Sequence, residues 1–107
     1  MKDNSLSKSE ILTDKREFNF IFKQGQYKRG DLIDILHVSS EDFKIGFAVS
    51  RRVRGSVRRN RLKRMMKEIY RNNKEHFPEK KHLILLAKKF EPAFSDLRKE
   101  ILEKVRL

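Results

Sequence analysis

The 107 residues make one ordinary domain, and with 37% hydrophobic and 9% aromatic residues they can bury one modest core. Charged residues reach 39%, and 27 Lys and Arg against 15 Asp and Glu leave a net charge of +12 and a pI near 10.2, a self-repulsion that points to a polyanionic partner. No run approaches the roughly 18 apolar residues of a membrane span, no apolar block of a secretory signal follows Met1-Lys2-Asp3, and no cysteine is present for a disulfide, a zinc ribbon or a thiol nucleophile.

In chain order, residues 1–12 are polar and Ser-rich and read as a loosely held arm. Thr13 is placed to cap a helix over residues 14–23 that Gly25 stops, with Phe18, Ile21 and Phe22 on one face and Phe20 pointing elsewhere. Residues 26–30 read as a short edge strand or a turn. Residues 32–38 and 43–50 read as two strands joined by the polar Ser39-Ser40-Glu41-Asp42. In the second, Phe43, Ile45, Phe47 and Val49 alternate with Lys44, Gly46, Ala48 and Ser50. The first set is core; the second is small-sided, to be covered closely or left open as a shallow floor.

Gly55 and Ser56 open a long helix over residues 57–73, with Ser56 as its N-cap and Leu62, Met65, Met66 and Ile69 as its apolar stripe. The near-continuous apolar run of residues 82–87 predicts a strand buried on both faces. Glu91-Pro92-Ala93 turns into a last helix over residues 94–105, with Phe94, Leu97, Ile101, Leu102 and Val105 inward. The order gives one α+β domain, a single sheet with helices packed on it.

The charge is local. Residues 51–74 carry eleven cations, Arg51, Arg52, Arg54, Arg58, Arg59, Arg61, Lys63, Arg64, Lys67, Arg71 and Lys74, against the single Glu68, so +10 of the net +12 sits there. On a helical wheel Asn60, Arg64, Lys67 and Arg71 lie away from Leu62, with Arg59 and Lys63 on one flank and Arg58 and Arg61 on the other. A merely solvated face mixes signs to gain i,i+4 pairs, and this one does not. Cations in a first helical turn oppose the dipole by about 0.3–1 kcal/mol each; a phosphate backbone at that end reverses the sign. The excess of Arg over Lys favours two-point phosphate docking.

The run Phe47-Ala48-Val49-Ser50-Arg51-Arg52-Val53, then Gly55, then Ser56-Val57-Arg58-Arg59-Asn60-Arg61-Leu62-Lys63-Arg64 closely resembles the signature of the bacterial ribonuclease P protein subunit. Glu17-Phe18 with Ile21-Phe22 and Gly25 is similar to that family's first helix, Leu83-Ile84-Leu85-Leu86-Ala87-Lys88 to its last strand, and residues 94–102 to its closing helix. The resemblance implies an αβββαβα fold like the second domain of ribosomal protein S5, with a left-handed βαβ crossover, against the usual right-handed rule.

It further implies a cytoplasmic ribonucleoprotein endonuclease that cleaves precursor tRNA to the mature 5′ end. The large RNA subunit supplies the catalytic centre, and Mg²⁺ held mainly by RNA and substrate drives hydrolysis. No catalytic or metal-binding residue is expected in the protein, nor any required protein oligomer. The protein is expected to raise substrate affinity and lower the Mg²⁺ requirement. Arg51, Arg52, Arg58, Arg59, Asn60, Arg61, Lys63, Arg64, Lys67 and Arg71 are expected to meet the catalytic RNA. Phe18, Phe22, Leu36, Lys44, Ser50 and Lys88, over a floor of Gly46, Ala48 and Ser50, are expected to meet the 5′ leader, by stacking worth about 1–3 kcal/mol per base. Family members often carry an aromatic near Leu36, where this chain has none, and Asp34 shares that strand face.

His37, His76 and His82 stand in no metal or triad spacing, and no Gly-rich phosphate loop is present. The competing class is a non-catalytic binding module, such as a ribosomal protein or an architectural DNA binder. A membrane-surface helix is disfavoured, because the apolar stripe of the basic helix is needed for the core.

Overall fold

The computed structural model describes residues 8–90 and 93–106, so Glu91 and Pro92 of the expected turn, and residues 1–7 of the expected arm, lie outside it. Seven elements follow in order: α1 (Lys15–Gln24), β1 (Gln26–Lys28), β2 (Ile33–Ser39), β3 (Lys44–Val49), α2 (Ser56–Asn72), β4 (Lys81–Ala87) and α3 (Phe94–Lys104). The sheet order is β1-β2-β4-β3, with β3 and β4 parallel and the other pairs antiparallel. The expected α+β order holds, and the ambiguous residues after Gly25 form the edge strand β1.

Alternation along the central strands assigns two faces. Ile33 and Ile35 of β2, Ile45 and Val49 of β3, and Leu83, Leu85 and Ala87 of β4 pack against Leu62, Met66 and Ile69 of α2 and Leu97 and Ile101 of α3. Leu36 and Ile84 point the other way, onto Leu12 and Ile21 under α1. β4 is therefore buried on both faces, as its unbroken apolar run requires. Tyr70, 2% exposed, organises the far end of the main core: Phe43 stacks on it at 5.8 Å and Phe77 meets it edge-on at 5.0 Å.

Four local expectations are corrected. Asp14, not Thr13, caps α1, its carboxylate accepting from the Arg16 amide at 2.8 Å. Ser56 is inside α2, and the N-cap is Gly55 at φ 91°, a backbone region that side-chain-bearing residues avoid. Residues 8–12 are tied down: Lys8–Glu10 form a 3₁₀ turn, and Leu12 is buried and donates its amide to Ile45 at 2.8 Å. Glu10 accepts from the Tyr70 hydroxyl at 2.6 Å and from Lys74 at 2.8 Å. Burial, then that carboxylate, raises the Tyr70 pKa, so the phenol stays a donor. Phe94, expected inward, is 40% exposed, because it is the first residue of α3, where a groove beside α2 opens.

Candidate nucleic-acid interface

α2 turns its apolar stripe into the main core, which forces its cations outward. Arg51, Arg52, Arg54, Arg58, Asn60, Arg61, Arg64 and Lys67 are exposed and Lys63 is half-buried. Among the described residues no carboxylate lies within ion-pair distance of these cations; the segment's one acid, Glu68, holds Arg71 at 2.7 Å. Hydrogen bonds from Arg71 and Asn72 keep the Glu68 carboxyl below its usual pKa. The α2 N-terminus has no side-chain cap and no acid in its first turn. Its positive end thus faces solvent together with Arg58 and Arg61, an arrangement that suits a polyanion.

Besides Arg71, two more residues of the basic segment are engaged within the protein. Arg59 donates from Nη1 to the Ser50 and Val53 carbonyls at 2.8 and 3.1 Å, and from Nη2 to the Val49 carbonyl at 3.1 Å. It pins the β3–α2 connection, so its expected RNA contact is corrected: the fork holds backbone. Lys74 is 6% exposed and holds Glu10. Arg58 instead lies over the Phe90 ring at 5.3 Å, on the wall of an open groove of about 640 Å³. Arg52, Arg54, Lys88 and Lys89 line the same groove. Arg54, Lys89 and Phe90 were not among the expected contacts, although Arg54 was counted in the basic segment and Lys89 directly follows the last-strand motif.

The sheet face under α1 is half sealed and half open. Cross-strand register sets the rows: Leu36–Ile84–Gly46, then Asp34–Leu86–Ala48. α1 closes the first row. Leu36 and Ile84 are 0% exposed, and Phe18 rests on Gly46 so closely that a Cβ there would overlap its ring. Leu36 is thus corrected from leader contact to core, since Ile21 and Leu12 cover it. The second row stays open: Ala48 and Leu86 are half-buried beside Phe18 and Phe22, with Ser50 and Lys88 beyond. Leu86 replaces Gly46 in the floor. Lys44 stands away from this group, paired with Glu17 at 3.7 Å and beside His82.

Asp34, 3% exposed, is neutralised from three sides: Lys88 at 3.1 Å, Arg29 at 3.9 Å, and the Gly30 amide at 3.1 Å. An aromatic does reach this face, from the next strand. Tyr27 of β1 pairs with Leu36, is 42% exposed, hydrogen-bonds the Phe22 carbonyl at 3.4 Å and carries Arg29 over its ring at 5.2 Å. Only the β1–β2 register reveals it.

The histidines are scattered. Ser40 and Asp42 both meet Nε2 of His82, at 3.0 and 2.8 Å, whereas an activated serine needs the ring between hydroxyl and carboxylate. Among the described residues no three His, Cys, Asp or Glu side chains converge as a metal site. Nor is any described helix long and apolar enough to cross a membrane.

Residues 6–106 match the protein family described as Ribonuclease P. The ribonuclease P protein component of Finegoldia magna is 33% identical over 85 residues, 78% of this chain and 75% of the relative. That of Natranaerobius thermophilus is 36% identical over 84 residues, covering 75% and 73%. The solved RNase P protein from Thermotoga maritima superposes with a TM-score of 0.81 at 30% identity, covering 91% of this chain and 96% of that one. A Staphylococcus aureus RNase P protein mutant superposes at 0.82 with 19% identity, a likeness of fold.

Proposed function

The chain belongs to the ribonuclease P protein family, with the RNA binding and the part in tRNA processing that membership carries, and on that premise we propose how its two surfaces divide the work. The outer face of α2, with Arg51, Arg52, Arg58, Asn60, Arg61, Lys63, Arg64 and Lys67, docks on the catalytic RNA. The open half of the α1 face, with Phe18, Phe22, Tyr27, Ala48, Leu86, Ser50 and Lys88, takes the single-stranded 5′ leader of precursor tRNA. The observation that carries this reading is the one-sided charge of α2, whose exposed cations lack acidic partners among the described residues.

In this reading the protein binds and orients, and the RNA performs the cleavage. Arg61 and Arg64, on successive turns, present guanidiniums to phosphates in two-point fashion. Phe18, Phe22 and Tyr27 offer ring faces, which tolerate any base, and Lys88 and Arg29, two cations against the one carboxylate of Asp34, leave one positive charge in excess for the leader backbone. Holding the leader on the protein while the RNA holds the tRNA body makes the scissile bond's placement intramolecular and raises substrate affinity. Mg²⁺ held by RNA and substrate supplies the metal-assisted hydrolysis, and cations brought by the protein reduce how much of it is needed. The protein works in the cytoplasm as a single copy.

The test is reconstitution. The purified chain alone leaves precursor tRNA uncut, and with the large RNA it yields mature 5′ ends at low Mg²⁺. Absence of stimulation over the RNA alone overturns the proposal and leaves a plain binding module. Arg61→Ala and Arg64→Ala each lower the slope of log affinity for the RNA against log salt by about one phosphate's worth, roughly 0.7–0.9; an unchanged slope removes those contacts.

A further inference from the structure

Phe94 stands apart from the rest of the α3 stripe. Leu97 and Ile101 are fully buried, whereas Phe94 opens to solvent on the wall of a groove of about 450 Å³ between α2 and the start of α3. Arg61, Arg64, Met65 and Glu68 of α2 line it with Phe94. The two arginines are exposed, with no acidic partner among the described residues, while the Glu68 carboxylate accepts from Arg71 at 2.7 Å and from Asn72 at 2.9 Å. A flat apolar ring facing two exposed guanidiniums, with the one nearby acid engaged, matches a planar base carried on a phosphate chain. The volume is enough for one small planar ligand.

We propose that this groove seats one unstacked nucleotide of the ribonuclease P RNA, its base lying on the Phe94 ring and its flanking phosphates held by Arg61 and Arg64. The seat rests on the ribonuclease P reading and adds to it a point of base contact where charge alone was assigned. Its occupant comes from that RNA and not from the leader, because the sheet separates the two. Phe94 and α2 lie on the main-core side, and Phe18 and Phe22 on the α1 side. A base held here adds direct base readout, which phosphate contacts alone do not carry.

The chain has no tryptophan, so Phe94→Trp installs a single indole at the groove. Titration of that variant with the ribonuclease P RNA transcript quenches its emission as the base stacks. Phe94→Ala weakens binding of the same transcript roughly tenfold, with the salt slope unchanged because no phosphate contact is lost. Phe94→Tyr restores wild-type affinity, and its unaltered melting temperature separates stacking from folding. Wild-type affinity in Phe94→Ala, or an indole emission that RNA leaves unmoved, overturns the seat while stimulation of cleavage still upholds the family reading. An indole that responds to protein concentration instead of RNA makes the groove an interface between copies and overturns the seat as well. Failure of the wild-type protein to bind the transcript overturns both.

Discussion

Arg59 is the residue at which charge counting and geometry part most sharply, and its replacement by Ala tests the difference. The guanidinium donates three hydrogen bonds, to the carbonyls of Val49, Ser50 and Val53, across the connection between β3 and α2. Charge-assisted bonds of this kind net about 1.5–3 kcal/mol each when dry, but Arg59 is half-buried and water replaces part of the loss, so about 1 kcal/mol per bond, or about 3 kcal/mol in all, is expected. For a domain of this size that lowers the melting temperature by about 10–15 °C. Thermal and urea unfolding followed by circular dichroism read the loss. Arg59→Lys recovers less than half, because one ammonium cannot fork to three carbonyls. RNA affinity of the folded fraction, measured against salt, keeps its wild-type slope. A variant that melts within about 3 °C of wild type while its salt slope falls by roughly 0.7–0.9 refutes the structural assignment and returns Arg59 to the RNA.

Three other outcomes bear on the α1 face and on pH. Leu36→Ala costs about 3 kcal/mol of stability as a core cavity, and the ratio of precursor to mature tRNA affinity in the reconstituted holoenzyme stays unchanged; a selective loss for precursor restores Leu36 to the leader site. Tyr27→Ala and Phe22→Ala each weaken precursor more than mature tRNA, by about five- to tenfold for a lost stack, and equal losses for both substrates remove them from that site. His37 is buried, and burial first, then the Lys81 and Lys28 cations, lower its pKa below 6.5. The stability contributed by its neutral ring is therefore complete above pH 6.5 and is lost as pH falls through the lowered folded-state value. Melts between about pH 7.5 and pH 5 decline less steeply in His37→Gln, and identical profiles refute the linkage.

What was legible in the sequence was whatever a local period encodes. The Leu62, Met65, Met66 and Ile69 stripe, the two-sided burial of β4 and the alternation of β3 all follow from spacing along one segment. Period two also placed Leu36 and Asp34 on one face correctly, yet it says nothing about where a covering helix ends. α1 closes the Leu36 row and stops short of the Leu86 row, and that boundary separates core from cleft. The remaining misses are contacts between distant segments. Glu10 finds Lys74 across 64 positions, Arg59 finds carbonyls six to ten residues behind it, and Tyr27 reaches the Leu36 face through strand register. Composition counts such groups as free charge or loose arm, because their partners are chosen by topology.

The eleven cations of residues 51–74 therefore divide by what they face. Arg59 faces carbonyls, Lys74 faces Glu10 and Arg71 faces Glu68, so three of them have partners within the protein. The other eight crowd one side of the molecule, several of them beside the positive end of α2, with no acid in its first turn to offset them. Arg59 and the Gly55 backbone hold the loop before that turn in place, so the cations stay crowded in the free chain. A phosphate backbone lowers the mutual repulsion of such cations when it binds. The same partition leaves Arg59 and Lys74 engaged within the fold and most of the remaining charge exposed, where a polyanion can reach it.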